Sequence, residues 1–271
     1  MKVLEFLQGT PAEDGEWIFE LGRELHGAFG GANGGVVGAT CVAAARSLTP
    51  DRVPAGLDVR FIRGLTEGAV RVVPVVLHGG RTLSVVSVDI FDSRDKLCTR
   101  ATVSLANPDA LEPFDHEGFS GNPSGWVAHG EGKPWARPTG GVEVPLIDTF
   151  APRLVGNDER GYATAVKVLW DEEGTCAEAA CIAADISVGP PVGAVVRGKP
   201  IPIPNPDLSL RFCAEPALPV TMISACRLER VSRGIASTRI EVWAASELVA
   251  VGVSTTTLLA GAWPDARKPK T

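Results

Sequence analysis

Two stretches of the chain alternate between apolar and polar positions with the period of two that is typical of β-strands. The alternating runs of the first stretch are 57–62, 69–77, 82–91 and 96–105. Those of the second stretch are 208–212, 220–229, 235–243 and 248–259. Short polar connections such as HGGR (78–81) and DSRD (92–95) predict hairpins between neighbouring runs. We therefore expect two sets of antiparallel strands.

An apolar, small-residue segment precedes each set of strands. The first, 36–48, follows the Gly-rich turn HGAFGGANGG and lacks a polar face, which predicts a helix surrounded by protein. The second, 181–197, begins like an apolar helix, but Gly189, Pro190 and Pro191 oppose its regular continuation. Alternating strands at 16–25 and 162–170 come before the two segments. The order strand, helix, four strands thus occurs twice.

The two halves also match residue by residue. LDVRF (57–61) aligns with LSLRF (208–212), and GRTLSVVSVDIF (80–91) aligns with SRGIASTRIEVW (232–243), at an offset of about 151 positions. Agreement of order, length and spacing indicates an internal duplication. We predict one unit at 1–106, a Gly- and Pro-rich linker at 107–145, a second unit at 146–262 and a tail at 263–271.

Composition excludes several classes of protein. The chain has 271 residues, 45% of them hydrophobic, and a net charge of −6, so an ordinary globular protein is expected and nucleic acid is not an expected partner. Its apolar runs are too short and interrupted for a membrane span. The first residues, MKVLEFLQGTPAEDGEW, lack the sustained apolar core of a signal peptide, which predicts a cytoplasmic protein.

Neither metal nor cofactor chemistry is indicated by the motifs. The six cysteines form no CxxC pair and the four histidines have no metal-ligand spacing, so we expect no metal and mostly buried thiols. GxGxxG after a strand, GxxxxGK[ST] and the GxSxG elbow are all missing. We therefore expect no nucleotide cofactor and no serine hydrolase.

Asp185 is the one carboxylate in the segment 181–197, which is otherwise uncharged up to its last residue, Arg197. A carboxylate in apolar surroundings is costly unless it is hydrogen-bonded, and a raised or partner-controlled pKa suits a general base. The alternative is that Asp185 only caps the turn that follows. Asn33, at the start of the first predicted helix, is a candidate N-cap beside Gly34 and Gly35.

The duplicated pattern resembles the double hotdog fold of the thioesterase superfamily, in particular the acyl-CoA thioesterase II type. The resemblance rests on NGGVVGA (33–39), VRFIRG (59–64) and GGRTLSVVSV (79–88) in the first unit. In the second unit it rests on AADISV (183–188), LSLRF (208–212), SRG (232–234) and ELVAVGVS (247–254). It implies an α+β fold with two antiparallel sheets, each wrapped around a central helix.

The resemblance also implies a reaction and a site. It implies hydrolysis of acyl-CoA to fatty acid and CoA by water that Asp185 activates. The family's supporting Thr and Gln fall on Asn205 and Ser254, and both differ from the family pattern. In hotdog enzymes the helix-start amides, here those of Gly34 and Gly35, receive the oxyanion, and Asn33 lies beside them. No nucleophilic side chain and no cofactor are required, and a homodimer of the chain is plausible.

Two other functions stay open at this point. Because the Thr and Gln positions are substituted, the chain is also interpretable as a non-catalytic protein that binds acyl-CoA or an acyl carrier. A hotdog hydratase or dehydratase acting on an enoyl thioester is a further alternative. Such enzymes use an Asp/His pair, and no histidine accompanies Asp185 in its motif.

Overall fold

A computed structural model describes residues 1–66, 68–114, 116, 125–136, 143–196 and 201–260. The helices are α1 (Val3–Phe6), α2 (Gly34–Ser47), α3 (Leu146–Phe150), α4 (Cys176–Ser187) and α5 (Gly189–Val195). The strands of the N-terminal half are β1 (Gly9–Pro11), β2 (Trp17–Glu20), β3 (Val53–Phe61), β4 (Ala69–Gly79), β5 (Leu83–Phe91) and β6 (Leu97–Ala106). Those of the C-terminal half are β7 (Lys133–Pro134), β8 (Arg153–Asp158), β9 (Gly161–Lys167), β10 (Asp207–Phe212), β11 (Thr221–Ser232), β12 (Ile235–Ala244) and β13 (Glu247–Thr257).

All thirteen strands of the described residues form one antiparallel sheet, in the order β1-β2-β4-β5-β6-β3-β10-β13-β12-β11-β9-β8-β7. The N-terminal strands cover α2 and the C-terminal strands cover α4. Alternation explains this arrangement, because in β5 the residues Ser84, Val86, Val88 and Ile90 are buried while their neighbours are partly or fully exposed. The two predicted sheets are thus two halves of one sheet, which join edge to edge.

The junction between the halves lies at β3 and β10, the strands that carry LDVRF and LSLRF. Leu57 pairs with Leu210, Asp58 with Ser209, and Val59 with Leu208. At the offset of about 151 positions, Leu57 corresponds to Leu208 and Val59 to Leu210, so the first and third pairs are equivalents of each other. The two units therefore meet through one self-complementary contact, as the subunits of a two-fold dimer do.

Helices α2 and α4 form the centre of the molecule and run antiparallel. All residues of α4 are buried, as are those of α2 from Gly35 to Ala45. Close packing follows from small side chains at the contact, since a Cβ added to Gly38 would lie 3.5 Å from the Cβ of Cys181. A helix without a polar stripe is stable only when protein surrounds it, and this prediction is confirmed for α2.

The second helical segment differs from the sequence-based expectation. Helix α4 begins at Cys176, five residues before the predicted start, and includes the fully buried Glu178. The burial of a charged residue at position 178 is not indicated by the local sequence pattern. Pro190 and Pro191 lie in the first turn of a separate helix, α5, where a missing N–H costs no hydrogen bond. Arg197, the end of the predicted segment, lies outside the described residues.

The regions between and after the two units are described only in part. Strand β6 ends at Ala106 and α3 begins at Leu146, the positions next to the predicted linker boundaries. Between them, described residues include the short strand β7, while the predicted tail 263–271 lies outside the described residues. None of the helices in the described ranges combines the length and hydropathy that a membrane crossing requires.

Candidate active site

Asp185 lies in the last turn of α4, where this helix meets the first turn of α2. Its exposed fraction is 6%. Position 185 is inside α4 and the residue before α5 is Val188, so the alternative that Asp185 is an N-cap is wrong. The packing of two helix ends, one from each unit, therefore brings a buried carboxylate to the interface between the units.

Two asparagine side chains bind the two carboxylate oxygens of Asp185. Asn33 donates from Nδ2 to Oδ2 over 2.5 Å, and Asn205 donates from Nδ2 to Oδ1. The resemblance indicated Asn205 as the position of the family's supporting Thr, and the structure places its side chain on Asp185. Asn33 was predicted as an N-cap beside the oxyanion donors, so its direct bond to Asp185 is a finding of the structure.

Asn33 has a second role as the N-cap of α2. Its Oδ1 accepts hydrogen bonds from the N–H groups of Gly35 (3.0 Å) and Val36 (3.3 Å). The predicted N-cap is confirmed. One side chain thus satisfies the open end of α2 with its oxygen and holds Asp185 of α4 with its nitrogen.

Glycine at positions 34 and 35 is required by the closeness of the two helix ends. A Cβ on Gly34 would lie 2.7 Å from Oδ1 of Asp185 and 2.8 Å from the ring of Phe61. A Cβ on Gly35 would lie 2.5 Å from the carbonyl oxygen of Cys181 and 2.6 Å from Cα of Ile182. Only a residue without a side chain lets the start of α2 approach the carboxylate this closely.

The environment sets the pKa of Asp185 by opposing effects. Burial raises the pKa of this carboxyl above its ordinary value, because desolvation disfavours the charged form. Hydrogen bonds from Asn205 and Asn33, together with the nearby amides of Gly35 and Gly34, act in the opposite direction and lower it. The result is a carboxylate with a raised pKa that still has several donors to stabilise its ionised form, which suits proton transfer.

Ser254 does not contact Asp185. Its Oγ donates to the backbone carbonyl of Asp207 over 2.7 Å. No hydrogen bond joins Ser254 to Asp185, because the serine side chain is short and has a closer acceptor, and its assisting role stays a prediction. Through this bond Ser254 holds Asp207, which lies two positions after Asn205.

One of the two amides that were predicted to receive an oxyanion already donates a hydrogen bond within the protein. The N–H of Gly35 is bound to Asn33, whereas Gly34, as the first residue of α2, has no acceptor within the helix. Both amides face Asp185 and contribute to the electrostatics of its carboxylate. Of the two predicted donors, Gly35 donates to the cap residue Asn33, and Gly34 does not.

Three arginines near the junction of the two units are bound to other protein groups. At the β3–β10 junction, Arg60 is paired with Asp207, and Arg211 is paired with Asp58 at 3.0 Å. Arg63 donates to the carbonyl of Leu97. Within the described ranges no group of three or more His, Cys, Asp or Glu side chains is arranged to hold a metal ion.

Residues 23–106, which include α2 and β3 to β6, match the family of acyl-CoA thioesterase N-terminal domains. The chain has the double-hotdog fold, and its N-terminal unit is similar to an acyl-CoA thioesterase domain. Thioester hydrolase is the enzyme class that this domain carries, and the predicted resemblance is confirmed. No curated protein matches the chain significantly.

Solved hotdog-fold structures match this chain over nearly its whole length. The tesB protein of Mycobacterium avium subsp. paratuberculosis is 17% identical, with a TM-score of 0.70 and coverage of 95% of this chain and 98% of that one. A hotdog-fold protein from Alicyclobacillus acidocaldarius is 16% identical (TM-score 0.75, coverage 96% and 99%). The acyl-CoA thioesterase II TesB2 of Mycobacterium marinum is 14% identical (TM-score 0.70, coverage 99% and 100%). The predicted fold class is confirmed by these similarities.

Proposed function

We propose that this chain hydrolyses acyl-CoA to a free fatty acid and CoA with a water molecule that Asp185 activates. The observation that carries the proposal is the buried carboxylate of Asp185, held by Asn33 and Asn205 against the start of α2. The thioesterase domain gives the reaction class, and the site supplies a base where that reaction needs one.

The two asparagines leave Asp185 able to accept a further hydrogen bond. An ionised carboxylate has about four lone-pair positions, and the side chains of Asn33 and Asn205 occupy one on each oxygen. A water bound to a remaining position would be oriented by a fixed carboxylate rather than by a mobile one. Orientation of this kind lowers the entropic part of the barrier.

The reaction then proceeds in two steps. Asp185 takes a proton from the water while the water oxygen bonds to the thioester carbon, and the carbonyl electrons move to its oxygen. The N–H of Gly34 at the start of α2 stabilises the resulting oxyanion. The carbonyl re-forms, the carbon–sulfur bond breaks, and the CoA thiolate takes the proton from Asp185. Asn205 orients the base in this scheme, and Ser254 supports the segment that carries Asn205.

The test is release of free CoA thiol from a series of acyl-CoAs of increasing chain length. Asp185→Asn keeps the size of the side chain and removes the base, so we expect turnover to fall by roughly 10²- to 10⁴-fold. Glu178→Gln is the matched control, because Glu178 is an equally buried carboxylate on the same helix. We expect this control to keep its turnover.

Other outcomes would favour other functions. Acyl-CoA binding without thiol release by the unmodified chain would favour a non-catalytic binding protein. Hydration of an enoyl-CoA would favour a hydratase, although no histidine of the described residues hydrogen-bonds Asp185. Full turnover in Asp185→Asn would remove Asp185 as the base.

We also propose that the chain acts on acyl-CoA in the cytoplasm, in lipid metabolism, and as a homodimer. The homodimer follows from the resemblance, because two hotdog units in one chain equal one hotdog dimer and relatives commonly pair further. Light scattering of the purified chain tests the dimer, since a mass of one chain, 28.4 kDa, would contradict it.

A further inference from the structure

The segment that carries Asn205 has an unusual sequence, IPIPNPD, which we call the proline arm (201–207). Proline alternates with other residues at 202, 204 and 206. Each proline fixes its own φ and restricts the residue before it to extended conformations. Asn205 precedes Pro206 and follows Pro204, so its backbone has little conformational freedom. The arm is extended and has no internal hydrogen bonds of its own.

Hydrogen bonds attach the arm to β3 of the first unit and to β13 and the residues that follow it in the second. The carbonyl of Pro202 accepts from the N–H of Leu259 (3.0 Å), and that of Pro204 accepts from the N–H of Thr257 (2.9 Å). The carbonyl of Pro206 accepts from the N–H of Phe61, on β3 of the first unit, over 2.8 Å. Because prolines donate nothing, every one of these contacts is made through a carbonyl.

Asp207 makes the densest set of contacts at the end of the arm. Its carbonyl accepts from Oγ of Ser254 (2.7 Å) and its Oδ1 accepts from the N–H of Thr255 (2.7 Å). Its Oδ2 is paired with Arg60 of β3. The side chain is only 16% exposed, so its hydrogen bonds are largely shielded from water.

We propose that Asp207 is a positioning residue: by tying the proline arm to β13 and β3 at once, it holds the side chain of Asn205 on the carboxylate of Asp185. Asp207 contacts no reacting atom in this account. Its effect passes through two residues of restricted backbone, which transmit a displacement of Asp207 to Asn205. The inference rests on the proposed function, in which Asn205 orients the base.

The experiment measures the pKa of the Asp185 carboxyl by NMR in the full-length protein with ¹³C-labelled aspartate. Asp185→Asn identifies the signal by its loss. Asn205→Ala removes a hydrogen bond to the charged form, and we expect the pKa to rise by about one pH unit. We expect Asp207→Ala to raise it by at least about half as much, and the double variant to equal Asn205→Ala alone.

Asp58→Ala is the matched control. Asp58 pairs with Arg211 at 3.0 Å across the same β3–β10 junction but does not touch the proline arm. We expect the pKa of Asp185 to stay unchanged in this variant. If Asp207→Ala does not fold, Asp207→Asn keeps an acceptor for Thr255 and loses the charge that faces Arg60, and a smaller rise is expected.

The NMR measurement does not require turnover, so it separates the two proposals. A raised pKa in Asp207→Ala and Asn205→Ala, without thiol release by the unmodified chain, would uphold the positioning role and remove the thioesterase reaction. An unchanged pKa in Asp207→Ala, with a raised one in Asn205→Ala, would overturn the positioning role and leave the reaction. Where the chain turns over, the acid limb of the kcat/KM profile moves with the pKa.

Discussion

The two ends of the α2–α4 helix pair each contain a buried carboxylate, and only one of them is built as a site. At one end, Asp185 of α4 meets the start of α2 and is 6% exposed. At the other end, Glu178 of α4 lies 3.3 Å from Arg46 in the last turn of α2, with a fully buried side chain. Burial and helix packing are therefore similar at the two ends, and the polar surroundings differ.

The hydrogen-bonding partners of the two carboxylates differ most. Asp185 accepts from Asn33 and Asn205 and faces the amides of Gly34 and Gly35. Neither oxygen of Glu178 has a hydrogen-bond partner among the described residues, although Arg46 is near. Burial raises the pKa of Glu178 to about 7. Desolvation alone is therefore enough to raise the pKa of a carboxyl group, as at Glu178. Fixing a carboxylate in one orientation, as at Asp185, requires hydrogen-bond donors from several elements.

The largest effect is expected from a substitution that separates α2 from α4 at the Asp185 end. Gly35→Ala places a methyl group 2.5 Å from a backbone oxygen and 2.6 Å from a backbone Cα of α4, and neither atom can move without the helix. We expect a loss of about 3 kcal/mol in the free energy of unfolding, measured with urea, together with most of the turnover.

Gly38→Ala is the control for this variant on the same helix. The nearest atom to its added Cβ is the side-chain Cδ2 of Leu57 at 3.2 Å, which can adjust. We expect a loss of about 1 kcal/mol or less and retained turnover. Equal losses in the two glycine variants would contradict the close approach at Asp185.

At the Glu178 end of the helix pair, we expect the free energy of unfolding to depend on pH. The pKa of Glu178 is about 7 in the folded protein and near 4.5 when unperturbed, so the folded state binds a proton more tightly than the unfolded state. Stability contributed by this group is present at low pH and falls as the pH rises from about 4.5 to about 7. The difference corresponds to roughly 3 kcal/mol.

Glu178→Gln cannot ionise and removes this pH dependence. We expect the variant to be more stable than the unmodified chain by up to roughly 3 kcal/mol at about pH 8, with a much smaller difference at about pH 5. Urea unfolding at the two pH values measures both differences. Asp185 is present in both proteins, so its own titration cancels. A difference that is the same at both pH values would contradict the assignment to Glu178.

Much of the fold was predictable from the alternation and the duplication. The strand runs that became β4 to β6 and β10 to β13, and the buried helix α2, were all indicated by residue pattern. The start of α4 was not, because Glu178 is charged and its burial depends on Arg46, which is 132 positions earlier (178 − 46). Local pattern carries no information about such a partner.

The site was predictable in part for the same reason. Asp185 was indicated as a lone acid in apolar surroundings, and Asn205 by its distance from LSLRF. The bond between Asn33 and Asp185 joins residues 152 positions apart, and only the packing of two units creates it. Ser254 occupies the expected strand position, but its short side chain reaches the carbonyl of Asp207 instead of Asp185. Sequence gives the position of a side chain along a strand, and side-chain length and the nearest acceptor decide its partner.

The central claim is that Asp185 activates water and does not itself attack the thioester. A single turnover in H₂¹⁸O, with enzyme in excess over acyl-CoA, tests this claim most directly. The account predicts that the fatty acid of the first turnover contains one ¹⁸O atom and that Asp185, examined by mass spectrometry of its peptide, contains none. An unlabelled fatty acid with ¹⁸O in the Asp185 carboxylate would mean that an anhydride forms on Asp185, and would contradict the account.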